Sequence, residues 1–377
     1  MCVETIESTL VGAEVSRVGS KRSRNSRVWA FAHSRYSPTL AVMQEGISEP
    51  RNSKCRTRVL NDATCDIQSP VGRGNLSFST LNLPMIAAKY KYELHGNDFE
   101  EFLMLLDDYI DLGIKQLKQR FEFQKTAKAG NFQFLYENGT WKDGDKLKPH
   151  EEVGDLLKTG TLALGFIGLA ETLTLLFGTH HGENKESLEK GLELIGHMHK
   201  RMKEQSALDS LNWSVIATPA ESYCGKALRK FKDKYGVIEG VSDKEYFTNS
   251  NHVPVGYDIS AIDKIKIESK FHPVTLGGHI LYIELDGDAT KNIKAMDKIV
   301  QAMIQEGAGY FAINIPNDRC LDCSYDGMIN TDTCPVCGSE SISRIRRITG
   351  YLTGSLDRWN SAKQAEHNDR IKHSIRD

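Results

Sequence analysis

Four cysteines in two pairs, Cys320-x-x-Cys323 and Cys334-Pro335-Val336-Cys337, with ten residues between the pairs, constrain this chain more than any other feature. Each pair turns two thiolates inward within one knuckle, and two knuckles on a short hairpin complete a tetrahedral four-sulfur site of the kind that zinc prefers. Sulfur at all four positions leaves no coordination site for water. Cys320, Cys323, Cys334 and Cys337 therefore read as a structural zinc ribbon over residues 316–343, although a redox dithiol pair or an iron–sulfur cluster would use the same residues. Eight cysteines in 377 residues are too few for a disulfide scaffold, so a reducing compartment and a cytoplasmic protein are expected.

The rest of the chain carries no competing signal. Forty-eight Lys and Arg against fifty Asp and Glu leave a formal charge of −2, which excludes the field of a basic nucleic-acid binder. The longest apolar run, residues 161–177, falls about one turn short of a bilayer span and contains Gly165, Gly168 and Glu171. It reads as a buried helix, and no membrane is expected. Residues 1–50 are basic and serine-rich, with Glu14 the only acid between Val11 and Leu40. That composition reads as an atypical, disordered segment, with a transit peptide or a foreign leader as the alternatives.

A folded α/β region is expected over residues 51–315. A strand is predicted at 76–81, and an amphipathic helix that starts with Asn97 at the N-cap and Glu100 at N3. Helices follow at 154–177 and 185–203, then a strand at 213–217 running into Thr218-Pro219-Ala220-Glu221, which has the pattern of a capped helix start. Further strands are predicted at 253–259, 279–285 and 309–314, with a helix at 292–305. Cys224 reads as packing, and His180-His181 and His197-x-His199 as solvated surface.

After the ribbon come Arg346-Arg347-Ile348-Thr349-Gly350-Tyr351-Leu352, Arg358-Trp359-Asn360 and a polar helical tail. Alone, Gly350 is a turn glycine. A zinc ribbon followed by Arg-x-x-Gly-Tyr-Leu resembles the glycyl-radical loop of the anaerobic, class III ribonucleoside-triphosphate reductases. Cys55-Arg56-Thr57-Arg58-Val59, Arg73-Gly74-Asn75-Leu76-Ser77-Phe78, the run from Gly160 to Glu171, Ala217-Thr218-Pro219-Ala220-Glu221-Ser222 and the block from Thr248 to Val255 resemble segments of that family, in the family's order.

The resemblance implies part of a ten-stranded α/β barrel, with residues 344–377 forming the radical loop and tail. It implies a glycyl radical on Gly350, made by a radical-AdoMet activase, and a thiyl on Cys55 that attacks a ribonucleoside triphosphate. Asn75 then supplies an amide to the substrate, and the segment at Thr218, Ala220 and Ser222 receives phosphate on free backbone N–H groups. Family members are nearly twice as long and the part missing here is the N-terminal half, so the chain reads as a fragment, a split-gene product or a truncation; a complementing N-terminal polypeptide and a homodimer are implied, with the allosteric region in the missing half. Ser53, where many formate-using members carry Met, leaves the reductant open. The alternative is a non-catalytic radical-bearing or assembly fragment; a zinc-ribbon nucleic-acid binder is a third reading.

Overall fold

The computed structural model describes residues 28–32, 39–44, 71–220, 222–285, 292–315, 317–327, 329, 331–348, 351–353 and 359–374; Cys55 and Gly350 lie outside them. The framework is a set of parallel strands joined by helical crossovers. Strands β3 (Asn75–Asn82), β4 (Thr161–Ile167) and β5 (Asn212–Ala217) form one parallel sheet. Ile216 bridges in parallel to Gly278, three residues ahead of β6 (Leu281–Glu284), and β6 pairs in parallel with β7 (Tyr310–Asn314). Five parallel strands thus follow one another in chain order. Open parallel arrays of this kind need helices over their faces, and the chain after β3, β4, β5 and β6 supplies them.

Helix α1 (Leu83–Ala88) leaves β3, and α2 (Phe99–Lys125) returns across β3 and β4. Asp98, one residue later than expected, caps α2 by accepting from the Glu101 amide at 3.0 Å. Phe102, Leu106, Ile110 and Leu117 of α2 are buried, at the spacing that the amphipathic pattern predicts. Helices α3 (Leu169–Phe177) and α4 (Lys185–Asp209) follow β4, with α4 packed on β5. Helices α5 (Tyr223–Tyr235), α6 (Ala261–Glu268) and α7 (Ile293–Gln305) complete the crossovers.

Four expectations about secondary structure are corrected. The apolar run 161–177 is not one helix but β4 followed by α3. Strand β4 is buried along its whole length, so it carries no polar face to reveal a period of two, and Gly168 at φ +73° breaks the chain between the elements. Residues 253–259 form turns rather than a strand, because Pro254 cannot donate and the Val253 amide is taken by Glu268 Oε1 at 2.8 Å. Within the segment read as lacking structure, β1 (Val28–Ala32) and β2 (Thr39–Gln44) form a hairpin, and β2 lies antiparallel beside β7. Two short apolar runs of strand length were hidden there by a basic, serine-rich average. The fourth concerns the helix start after β5, described below with the site.

The ribbon forms a separate antiparallel sheet in the order β11-β10-β8-β9, from β8 (Asn317–Cys320), β9 (Asp326–Gly327), β10 (Ile342–Ile348) and β11 (Tyr351–Thr353). Helix α8 (Ser361–Asp369) packs against α5, where a Cβ on Gly225 would overlap Ala362.

Gly165 shows how tightly the parallel sheet is built. It pairs with Thr80 of β3 and Ile216 of β5, and a Cβ there would overlap Thr218 Oγ1 and meet Ile216 Cγ2 at 2.9 Å. The missing side chain lets the Thr218 hydroxyl reach across β4 to Thr80, 3.0 Å away. Gly165→Ala is expected to destabilise the chain by about 1–3 kcal/mol, the usual cost of overpacking, measured by urea denaturation.

Candidate functional site

The four ribbon cysteines converge. Their sulfur atoms lie within 4.8 Å of one another, with Cys320 to Cys337 at 3.5 Å and Cys323 to Cys334 at 3.6 Å. A tetrahedron with metal–sulfur bonds of about 2.3 Å has edges of about 3.8 Å, so the four thiols fit one metal ion. Each knuckle is held by backbone bonds: Ser324 N to Cys320 O at 3.1 Å and Gly338 N to Cys334 O at 2.9 Å. The Cys323 amide, hydrogen-bonded to Cys320, brings that thiol down to about 6, while at Cys323 the Tyr325 amide is outweighed by burial and the neighbouring thiols, which push it up to about 12, so without a cation only one of the two ionises readily.

The segment after β5 does not form the expected helix start. Helix α5 begins at Tyr223 with Ser222 at the N-cap, and the Ser222 side chain makes no cap bond. Thr218 is buried and spends its hydroxyl on Thr80 rather than on a helix amide. Ala220 sits at φ +30°, a strained value for a residue with a Cβ, and turns the chain before the helix can begin. Glu221 lies outside the described residues. Thr218, Ala220 and Ser222 therefore form a connecting loop beyond the carboxyl end of β5, the end of a parallel sheet where ligands bind. Asn75 opens β3 at the opposite end, level with Thr161 and Asn212. Only an elongated ligand running along the sheet would meet both. Cys55 and Gly350 fall outside the described residues.

Beside that loop the block at 248–255 is folded by buried carboxylates. Glu171 accepts from the Thr248 amide at 2.9 Å and hydroxyl at 2.7 Å and pairs with Lys244 at 2.6 Å. Glu268 accepts from the Val253 amide and pairs with Lys264 and with His252 at 2.9 Å. Cys224 is buried as expected, its thiol 3.5 Å from Asn249 Oδ1. His180 and His181 are buried rather than solvated: His180 packs its edge on Tyr257 and His181 on Phe271. His197 pairs with Asp107 at 2.8 Å.

The largest concentration of charge was missed in the sequence. Glu284 ends β6, with its side chain 6 % exposed; Arg347 of β10 bonds it and stacks on the Tyr282 ring at 3.7 Å. Arg370 approaches the same carboxylate at 3.6 Å and Glu366 at 3.4 Å, and Lys363 pairs with Glu366. Burial pushes the Glu284 carboxyl up, but Arg347 and Arg370 outweigh it and hold the group well below the ordinary carboxylate range. Burial likewise opposes ionisation of Glu366, which Lys363 and Arg370 bring down to about 2. Glu284, Arg347, Glu366 and Arg370 line a cavity with Tyr246, Asn249, His252, Lys264 and His373. The sequence signals were an acid closing an apolar strand at Glu284 and the arginine of the Arg-x-x-Gly motif.

A profile described as "Anaerobic ribonucleoside-triphosphate reductase" matches residues 19–373, so the match starts well before Arg51. The chain is 34 % identical over 314 residues to the anaerobic ribonucleoside-triphosphate reductase of Haemophilus influenzae, covering 80 % of this chain and 43 % of the relative. It is 33 % identical to that of Enterobacteria phage T4, covering 80 % and 49 %. The chain thus spans under half the length of these relatives. Its fold resembles a solved anaerobic ribonucleotide reductase at a TM-score of 0.64 and 22 % identity, over 80 % of this chain and 45 % of that one. The five parallel strands accordingly form part of that family's α/β barrel. Among the described residues no helix is long and apolar enough to cross a membrane.

His373 supplies a pH dependence. Its Nδ1 accepts the Glu284 amide at 2.9 Å, and burial first, then Lys264, lower its pKa to about 4. The unfolded chain takes up this proton near pH 6.5 and the folded chain only near 4, so the contribution is full above 6.5 and lost as pH falls toward 4. His373→Asn keeps an acceptor near the Nδ1 position without titrating, and is expected to flatten the slope of stability against pH across that window in urea titrations.

Proposed function

Because the chain belongs to the anaerobic ribonucleoside-triphosphate reductase family, we propose that it forms the catalytic C-terminal portion of an oxidoreductase that converts ribonucleoside triphosphates to 2′-deoxyribonucleoside triphosphates. The observation that carries this reading is the four-cysteine centre that immediately precedes β10, the strand that contains Arg347 and leads into the Arg-x-x-Gly-Tyr-Leu motif.

Gly350 is the radical site. Removing a hydrogen from a glycine Cα leaves a planar centre delocalised over the flanking amides, which a side chain would crowd. Cys55 takes the unpaired electron by giving its hydrogen to Gly350, and the resulting thiyl abstracts the ribose 3′ hydrogen, which labilises the 2′ hydroxyl. Asn75 binds toward the ribose end of the substrate, and the loop at Thr218, Ala220 and Ser222 receives the phosphates. The four cysteines hold zinc as a structural ion that stiffens the base of β10. A radical-AdoMet activase generates the radical, a homodimer is the working assembly, and a complementing N-terminal polypeptide completes the barrel. The compartment is the cytoplasm, where the cysteines stay reduced.

The second reading, a radical-bearing fragment without catalysis, is favoured by the 43 % coverage of the relatives. Reductase assays with the N-terminal half of a relative supplied separately discriminate: dependence of product on Cys55 identifies the enzyme. Anaerobic incubation with AdoMet and the activase is expected to give a glycine-centred doublet in electron paramagnetic resonance. Gly350→Ala abolishes it, and no doublet in the unaltered chain overturns the proposal. X-ray absorption on the purified chain is expected to show one zinc with four sulfur neighbours at about 2.3 Å, and Cys334→Ser to lose most of the metal.

A further inference from the structure

The polar tail after the ribbon has no role in the reading above, yet it is tied to the barrel at several points. Residues 371–374 run as a strap: Ile371 N bonds Val255 O at 3.0 Å, His373 N bonds Glu284 O at 2.8 Å, and Ala261 N bonds Ser374 O at 2.9 Å. The end of α8 is tied as well, Tyr246 donating to Asp369 at 2.8 Å. At the junction of helix and strap stands Arg370, whose side chain is 6 % exposed. Its Nη1 donates to the backbone carbonyl of Arg347 at 2.9 Å, its Nη2 faces Glu366 at 3.4 Å, and its Nε faces Glu284 at 3.6 Å. One guanidinium thus joins β10, β6 and α8. The contact on β10 is to the main chain, three residues before Gly350, so it sets the strand itself rather than one side chain.

We infer that Arg370, seated by Glu366, is a positioning residue that clamps β10 against the end of β6 and thereby holds the strand that leads to Gly350. A planar fork with donors in three directions can hold the three partners together; a lysine ammonium on its flexible stem reaches one or two of them. The Arg347–Glu284 pair is the second contact of the same clamp, made through a side chain. The chain continues from Glu366 through Asn249 Nδ2, 3.3 Å away, and from Asn249 Oδ1 to the Cys224 thiol in α5, the helix that follows the Thr218 loop. The clamp therefore rests on the element next to the proposed phosphate site.

This inference depends on Gly350 carrying the radical, and the experiment separates the two. The full chain and its Arg370→Lys and Glu366→Gln variants are activated anaerobically with AdoMet and a radical-AdoMet activase. The doublet is then followed as a small thiol, 2-mercaptoethanol, is added to quench it by giving up its S–H hydrogen. Folding is checked by far-UV circular dichroism and metal content. A loosened clamp leaves the initial doublet at least as large as in the unaltered chain, because activation needs the segment to be accessible. It makes quenching roughly 10- to 100-fold faster in Arg370→Lys, the factor that loss of a charged hydrogen bond gives to an opening equilibrium. Glu366→Gln is expected to quench faster in the same sense. A merely structural role predicts a smaller doublet with no change in quenching rate. That result, or unfolding of both variants, overturns the inference. An absent doublet in the unaltered chain overturns the reading of Gly350 and the inference with it, whereas normal quenching in folded Arg370→Lys overturns the inference alone.

Discussion

The ion-pair network around Glu284 is the constraint on which the C-terminal third of the structure depends. Glu284, Glu366, Arg347, Arg370 and Lys363 are all taken out of water. Desolvating such groups costs several kcal/mol each, and only mutual pairing in good geometry offsets that cost; removing one partner typically costs about 3–5 kcal/mol because a buried charge is left alone. A hydrophobic contact tolerates sliding, but this network does not. It fixes the end of β6, strand β10, helix α8 and the terminal strap in one mutual arrangement. Neighbouring charges carry the same logic inward, with Glu268 held by Lys264 and His252, and Glu171 by Lys244 and the Thr248 amide and hydroxyl.

That arrangement places a rigid metal-binding knuckle at one end of β10 and a charged clamp at the other. Strand β10 pairs with β8 through Cys320 at its start and with β11 at its end, where Ile348 faces Tyr351. Four thiolates on one ion would replace the apolar burial that so short a segment cannot supply. The parallel strands provide the complementary surface. Their carboxyl ends gather the Thr218 loop, the block at 248–255 and Glu284 on one side of the sheet, which is where an α/β array leaves its connecting loops free to bind. Gly165 contributes by being small, since a side chain there would break the Thr80–Thr218 contact that sets the first turn of the loop.

Where sequence reading succeeded, the deciding information was local. Helix α2 announced itself by apolar residues at three- and four-residue steps, α7 by an asparagine cap, and β5 and β7 by short branched runs. Where it failed, the decision lay in partners far along the chain. The run at 161–177 is apolar on every side, so its pattern cannot separate a central parallel strand from a buried helix; neighbours β3 and β5 settle it. Thr218-Pro219-Ala220-Glu221 has the composition of a capping box, but the Thr218 hydroxyl pairs instead with that of Thr80, brought alongside by the sheet. His180 and His181 look like surface because two adjacent histidines are polar, and they are buried because Tyr257 and Phe271 cover them.

The sequence by itself determined the family, the α/β class, the four-cysteine cluster and most helices, because spacing and periodicity are properties of neighbouring residues. Only the tertiary structure decided that Glu284, Arg347, Glu366 and Arg370 form one buried cluster, that the helical tail packs on α5 and continues as a strap over residues 371–374, and that Asn75 and Thr218 lie at opposite ends of the sheet. The physical reason is that the state of a charge depends on what excludes water from it, and here the excluding groups come from residues up to about a hundred positions away, whose approach no local pattern encodes.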